Sequence, residues 1–167
     1  MLFLTDKAIK FLDDKGVKYF IHSHKSVRTA NEAESELNGI VSGIQLKTIA
    51  VQQRIDSDKY ILLLLVLRSV DRLDFKKLSR FLIVPRSRIK NATVEQLEND
   101  LGVEPGGVSP ICFDKNIQII FDENIRSNIN SSEMITCGIG LSTKTLEIGL
   151  CDLIDLINPM FVNLSIL

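Results

Sequence analysis

The sequence predicts a mixed α/β (α+β) domain, a mostly antiparallel, barrel-like sheet flanked by helices. Three observations carry that expectation. Short apolar segments alternate with capped helical ones, and hairpin connections outnumber strand–helix–strand crossovers. The chain of 167 residues, 45% hydrophobic and 25% charged, is one domain's worth of sequence, so a single domain over residues 1–167 follows.

The elements follow in order. Thr5 or Asp6 can cap a first helix whose Ala8, Ile9, Phe11 and Leu12 keep helical spacing, and Gly16 supplies the left-handed residue that ends it. Residues 17–24 alternate apolar Val17, Tyr19 and Ile21 with Lys18, His22 and His24, which is a strand with one core face. Thr29-Ala30-Asn31-Glu32 is a capping box, and the helix it opens runs to about Asn38, stopped by Gly39. Residues 46–53 and 59–67 read as a hairpin joined by the polar 54–58 turn, its second strand apolar on both faces. Asp74 caps a helix with Phe75, Leu78 and Leu82 inward and Lys76, Lys77 and Arg80 outward. A short strand near 88–91 precedes a helix capped by Thr93 and ended at Gly102. After the 102–110 loop come strands near 117–122, 133–137 and 145–148, a helix over 151–157 and a last strand near 161–165.

Composition excludes several functions. Twenty Lys and Arg against 21 Asp and Glu leave a charge of −1, so this is no polycation gripping nucleic acid by bulk charge, and any such contact is a local patch. Lys76, Lys77, Arg80, Arg86, Arg88 and Lys90 could form one or be an ordinary solvated face. Three cysteines without CxxC spacing and two histidines give no zinc framework and no evident disulfide set, which points to reduced thiols and a cytoplasmic location. No metal and no cofactor is expected. The longest apolar run, 60–67, is far short of the roughly 20 residues a membrane helix needs, and the N-terminus lacks a secretion signal.

Two patterns are decoys. Residues 138–145 approach a phosphate loop, but Thr143 stands where Gly must precede the Lys, and the following residues read as a strand. Gly138 and Gly140 mark instead a bulge or a close backbone approach. His22 and His24 share a strand face but lack a third ligand. Two features carry more. Lys47 opens the apolar strand Leu46-Lys47-Thr48-Ile49, where a charge either faces a wet cleft or snorkels to solvent. The Val103-Glu104-Pro105-Gly106-Gly107-Val108-Ser109-Pro110 loop can offer backbone amides to a ligand oxygen, or be a plain connection.

In this order and spacing, Ile21-His22-Ser23-His24, Val27-Arg28-Thr29-Ala30-Asn31-Glu32-Ala33, Lys47-Thr48, Leu73-Asp74-Phe75-Lys76-Lys77-Leu78, Gly106-Gly107-Val108-Ser109-Pro110, Asp122 and the 138–153 segment resemble the YbaK family, the prolyl-tRNA synthetase-associated or insertion editing domain. The resemblance implies a free-standing, metal-free aminoacyl-tRNA deacylase that clears mischarged tRNA in trans, here Ala- or Cys-tRNA for proline, and a contact with prolyl-tRNA synthetase. It involves no membrane and no DNA. It implies that Lys47 is the essential cation, that Gly106, Gly107, Val108, Ser109 and Pro110 bind the aminoacyl end, and that Thr29, His24, Gly138 and Gly140 border it. The attacking group is implied to come from substrate or water. Arg68, Thr143, Thr145 and His24 depart from the family's pattern and leave the accepted amino acid open. The alternatives are a non-catalytic module binding tRNA ends or a synthetase, and a hydrolase of other small aminoacyl esters.

Overall fold

The computed structural model of the protein describes residues 4–38 and 43–167. Helix α1 (Leu4–Lys15) buries Leu4, Ala8 and Leu12 and ends at Gly16, whose φ of +68° is the expected left-handed stop. It starts earlier than the sequence suggested. Thr5 lies inside it, and its hydroxyl donates to the Ile139 carbonyl at 2.7 Å, so Thr5 ties the helix to the far end of the chain rather than capping it. Strand β1 (Tyr19–Ser23) leads to α2 (Ala30–Leu37), where Thr29 Oγ1 accepts from the Glu32 amide and Glu32 accepts from the Arg28 amide. The expected stop at Gly39 lies outside the described residues.

Strands β2 (Ile44–Arg54) and β3 (Tyr60–Arg68) form the predicted hairpin, with Lys47 opposite Leu67 and Ala50 opposite Leu64. Leu62 to Leu67 are all buried because both faces of β3 are covered. Leu63, Leu65 and Leu67 pack with Leu78 and Leu164, whereas Val66 joins Leu46, Phe121 and Ile125 on the opposite side. Helix α3 (Phe75–Leu82) is capped by Asp74, which accepts from the Lys76 and Lys77 amides. A 3₁₀ turn at Arg86–Arg88 precedes β4 (Ile89–Asn91). One turn of α4 (Val94–Gln96), closed by the Thr93 capping box, widens into a π-turn at Leu97–Leu101 and stops at Gly102.

Strand β5 (Gln118–Asp122) passes directly into α5 (Glu123–Asn128), a helix the sequence reading did not anticipate. Asp122, fully buried, makes that junction. Its carboxylate accepts from the Asn124 amide and from the Leu164 and Ser165 amides at 2.7 and 3.1 Å, so it caps α5 and pins the C-terminal segment. Strands β6 (Met134–Gly138) and β7 (Lys144–Gly149), helix α6 (Leu150–Ile157) and β8 (Met160–Val162) complete the chain. The last strand is shorter than expected, continued only by an isolated bridge between Leu73 and Ser165.

The eight strands form a mixed, mostly antiparallel sheet in the order β1-β7-β6-β2-β3-β5-β8, with β4 added to β2. Among the described residues four pairings are antiparallel and three, β2·β6, β3·β5 and β5·β8, are parallel. The parallel pairs are more numerous than the hairpin pattern suggested, because long excursions through α3 and α6 act as crossovers. β2 is the pivot. One of its edges follows β3 throughout; the other carries β6 at residues 44–45 and β4 at 51–53. Between those two partners the outer edge of β2 is open, and there the sheet splits into two halves. No described helix is long and apolar enough to cross a membrane.

Candidate active site

A cavity of about 180 Å³ lies beside the open stretch of β2. Its floor is Gln45, Leu46, Lys47 and Thr48 of β2; Thr29, Ala30 and Ala33 of α2 form one wall, and Gly106, Val108 and Gly138 the other. Cys137, Lys144, Thr145 and Arg28 complete the rim. The volume is about six times the ~30 Å³ share of a water molecule, enough for a group of a few heavy atoms.

Lys47 lies in β2 just past the two residues that β6 pairs, and there it borders the cavity. Burial pushes its ammonium below the usual lysine range, Asp71 opposing and Arg72 adding to the effect. Its protein partner is weak, the Ser69 carbonyl at 3.4 Å. The nearby carboxylate is already engaged. Arg68 holds Asp71 in a bidentate pair at 2.7 and 2.9 Å, which keeps that carboxyl below its ordinary range, and Asn124 also donates to it. Lys47 therefore keeps a partly desolvated charge available to a ligand oxygen. Arg68, one of the departures noted above, is a structural partner of Asp71 and does not line the cavity.

The glycine wall is held by backbone-to-backbone approach. A Cβ on Gly106, whose φ is +87°, would run into the Val27 carbonyl oxygen, and one on Gly138 into that of Val108. Gly107 donates to the Glu104 carbonyl at 2.9 Å and accepts from the Gly140 amide at 2.7 Å. Glu104 locks the arrangement, its carboxylate accepting from both the amide and the hydroxyl of Ser142 at 2.8 Å. With the Ser142 proton committed to Glu104, the Ser26 hydroxyl donates to Ser142 Oγ at 2.8 Å. Three distant segments are thereby fastened together. The carbonyls of Ser142 and Thr143 also accept from the amides of Val27 and His24.

The predicted residues divide accordingly. Lys47, Thr29, Gly106, Val108 and Gly138 border one cavity. Gly107 and Gly140 sit behind it in the backbone clamp, and Ser109 and Pro110 are buried, the Ser109 hydroxyl accepting from the Ile111 amide at 3.1 Å. His24 stands one residue removed. Its Nδ1 donates to the Lys25 carbonyl at 2.7 Å, and its Nε2 lies 2.8 Å from the Thr145 hydroxyl oxygen. His22 pairs instead with Glu147 at 3.2 Å, and among the described residues no three His, Cys, Asp or Glu side chains gather into a metal-binding group.

Arg28, Gln45, Cys137 and Lys144 were not picked out as site residues in the sequence. In sequence Lys144 stands out only as part of the false phosphate loop; in β7 it borders the cavity, its Nζ 3.1 Å from Ser23 Oγ. Cys137 borders it as well, but burial pushes its thiol up to about 12, so it holds no thiolate to attack with at neutral pH. The basic cluster on α3 and β4 is partly structural. Lys77 donates to the Asn163 side chain and the Ser165 carbonyl, Arg86 donates to the Ile89 carbonyl and stacks 4.0 Å above Phe75, and Arg88 reaches the Ile55 carbonyl.

A family model described as the aminoacyl-tRNA editing domain matches residues 24–156. No curated protein matches. Among solved structures, a hypothetical protein superposes with a TM-score of 0.76 at 19% identity, 96% of this chain on 99% of that one. A protein described as a candidate trans-editing enzyme for prolyl-tRNA synthetase superposes with a TM-score of 0.71 at 20% identity, each chain covered to 99%. A longer chain from Marinobacter aquaeolei, described as a candidate signal transduction protein, contains the fold in 30% of its length, covering 96% of this chain with a TM-score of 0.62 at 11% identity. These identities speak for the fold; the match over residues 24–156 speaks for the family, and the chain belongs to the aminoacyl-tRNA editing domain family.

Proposed function

We propose that the protein is a free-standing aminoacyl-tRNA deacylase, acting in trans on Ala- or Cys-tRNA for proline. One observation carries this reading. Every charged side chain bordering the cavity, Arg28, Lys47 and Lys144, is a cation, in a chain whose net charge is −1. A small cavity rimmed only by positive charge suits the end of a polyanion that carries a small acyl group.

In this mechanism Arg28 and Lys144 take the terminal phosphates. Lys47 faces the ester oxygen that gains negative charge, and the amides of Gly106 and Val108 add oriented dipoles. Water, positioned by the vicinal ribose hydroxyl, adds to the carbonyl carbon; the bond to the ribose oxygen breaks and that oxygen takes the proton. With water as attacker the products are free amino acid and uncharged tRNA. No protein nucleophile, metal or cofactor enters the scheme, and the side chains work by position and charge. Gly107, Gly138, Gly140 and Ser109 keep the loop in place, Thr29 fixes the start of α2 at the rim, and His24 orients the Thr145 hydroxyl.

The test is loss of ester from labelled Ala-, Cys-, Ser- and Pro-tRNA for proline, with Lys47→Ala alongside. Selective hydrolysis that the variant loses is expected. Binding of tRNA without turnover of any member would make the protein a non-catalytic module.

A further inference from the structure

Lys47 has a carboxylate within its field and does not pair with it. Asp71 belongs to the turn that follows β3, closed where the Asp71 amide donates to the Arg68 carbonyl at 3.0 Å. The Lys47 ammonium donates to the Ser69 carbonyl of that same turn. Both carboxylate oxygens of Asp71 are taken: Oδ2 accepts from Arg68 Nε at 2.7 Å and from Asn124 at 3.4 Å, and Oδ1 accepts from Arg68 Nη2 at 2.9 Å. The two side chains are only 24% and 12% exposed, so this fork is not a pair dissolved in solvent.

The register explains the arrangement. Arg68 closes β3 opposite Leu46, and Leu67 stands opposite Lys47, so the 68–71 turn is laid against the stretch of β2 that carries the ammonium. Without Arg68 a largely buried carboxylate would lose the partner that neutralises it, which is costly unless another cation takes its place. Lys47 is the cation at hand: besides Arg68 its field stabilises the ionised Asp71, and Asp71 in turn favours the charged lysine. Other charges stand around the pair. Arg72 in the same turn opposes protonation of Lys47, Arg28 and Lys144 of β7 border the cavity, buried Asp122 favours the Arg68 charge, and Glu34 of α2 borders a neighbouring hollow with Arg68.

We propose that Arg68 is a positioning residue for the deacylation: by gripping Asp71 it keeps Lys47 out of an ion pair and leaves that ammonium to the ester oxygen. The inference rests on the deacylase reading. An ammonium already paired with a carboxylate has its charge neutralised and its direction set by that partner, and neither helps an oxygen that gains charge in the transition state. A guanidinium suits the task where a second lysine would not, since its planar fork fills both carboxylate oxygens at once and never deprotonates.

The experiment measures kcat and KM on alanyl-tRNA for proline across the neutral and alkaline range, in wild type, Arg68→Met, Asp71→Asn and the double variant, with thermal melts of each. The pH dependence of Lys47 acetylation, read by peptide mass, is followed in parallel. Arg68→Met should lower kcat about tenfold or more with KM within about threefold, and should raise the alkaline limb and the Lys47 titration together by about one pH unit. Asp71→Asn should move both down. Adding it to Arg68→Met should restore kcat to within about threefold of wild type, which a merely structural loss would not allow. Where Arg68→Met melts below the assay temperature, Arg68→Lys, which keeps the charge and loses the fork, should shift the titration in the same direction with a smaller loss. An unmoved Lys47 titration in the folded Arg68 variant, or a double variant as slow as Arg68→Met, would overturn the proposal alone. Wild type that leaves alanyl-tRNA intact would end the deacylase reading and with it the role of Arg68 in turnover, whatever the acetylation profiles show.

Discussion

Replacing Gly107 by alanine probes the clamp behind the cavity without touching its lining. The added Cβ would stand 2.7 Å from three backbone atoms, the carbonyl carbons of Gly140 and Leu141 and the Leu141 nitrogen. Ordinary contact begins at 3.4 Å, so the 104–108 loop and the 140–141 segment must part by about 0.7 Å. No flexible side chain can absorb the movement, because the atoms struck are main chain, and Glu104 and the Gly107 carbonyl hold both segments by hydrogen bonds. Overpacking of this kind costs about 1–3 kcal/mol. For a domain of this size that lowers Tm by roughly 2–4 °C per kcal/mol. Because Gly106 and Val108 ride on the displaced loop, kcat/KM should fall about 10- to 100-fold, as displacements approaching 1 Å do in positioned sites. Deacylation kinetics and a thermal melt measure both. Gly16→Ala is the control: nothing lies within 4 Å of its Cβ, but φ is +68°, so only stability should suffer. Activity within threefold of wild type and an unchanged Tm in Gly107→Ala would refute the clamp.

Lys47→Met should lower kcat/KM by about 10²- to 10³-fold, in the manner of a lost oxyanion partner, while Tm at pH 7 stays level or rises. The sign follows from the lowered lysine pKa. The folded chain releases this proton below the ordinary 10.5, so stability increases with pH between the folded value and 10.5, and the buried charge is a cost at all lower pH. The same shift puts the alkaline limb of wild-type kcat/KM, corrected for spontaneous hydrolysis, below the ordinary lysine range; a flat profile up to 10.5 would contradict it. Thiol labelling at pH 8 should modify exposed Cys151 first, half-buried Cys112 slowly and Cys137 only on unfolding. Labelling of Cys137 in the native protein at the Cys151 rate would show the cavity wall to be open.

What was legible in the chain was local. Thr29, Asp74 and Thr93 announced helix starts because a cap and its amides lie within three residues of each other, Gly16 announced a stop, and the double-faced apolar run of β3 announced a buried strand. Lys47 stood out because a charge in an apolar strand is anomalous wherever the strand goes. Helix α5 was missed although Asp122 is an ordinary cap, since the strand before it continues without a break into the first turn.

The rest depends on which distant segments meet. Ser26 and Ser142 bond across 116 residues, and His24 and Thr145 across 121. The glycines of 106–107 and 138–140 gain their meaning only from the backbone opposite them, and the parallel pairings only from where the crossovers return. Gln45 and Thr48 look like ordinary strand residues in sequence. The stretch of β2 between its β6 and β4 partners is equally invisible in sequence, and no pattern of period two records that gap. Sequence by itself determined most of the elements, α5 excepted, and singled out one cation, since capping and periodicity act over a few residues; tertiary structure alone decided the cavity and its positive rim, since those are properties of segments brought together across the whole chain.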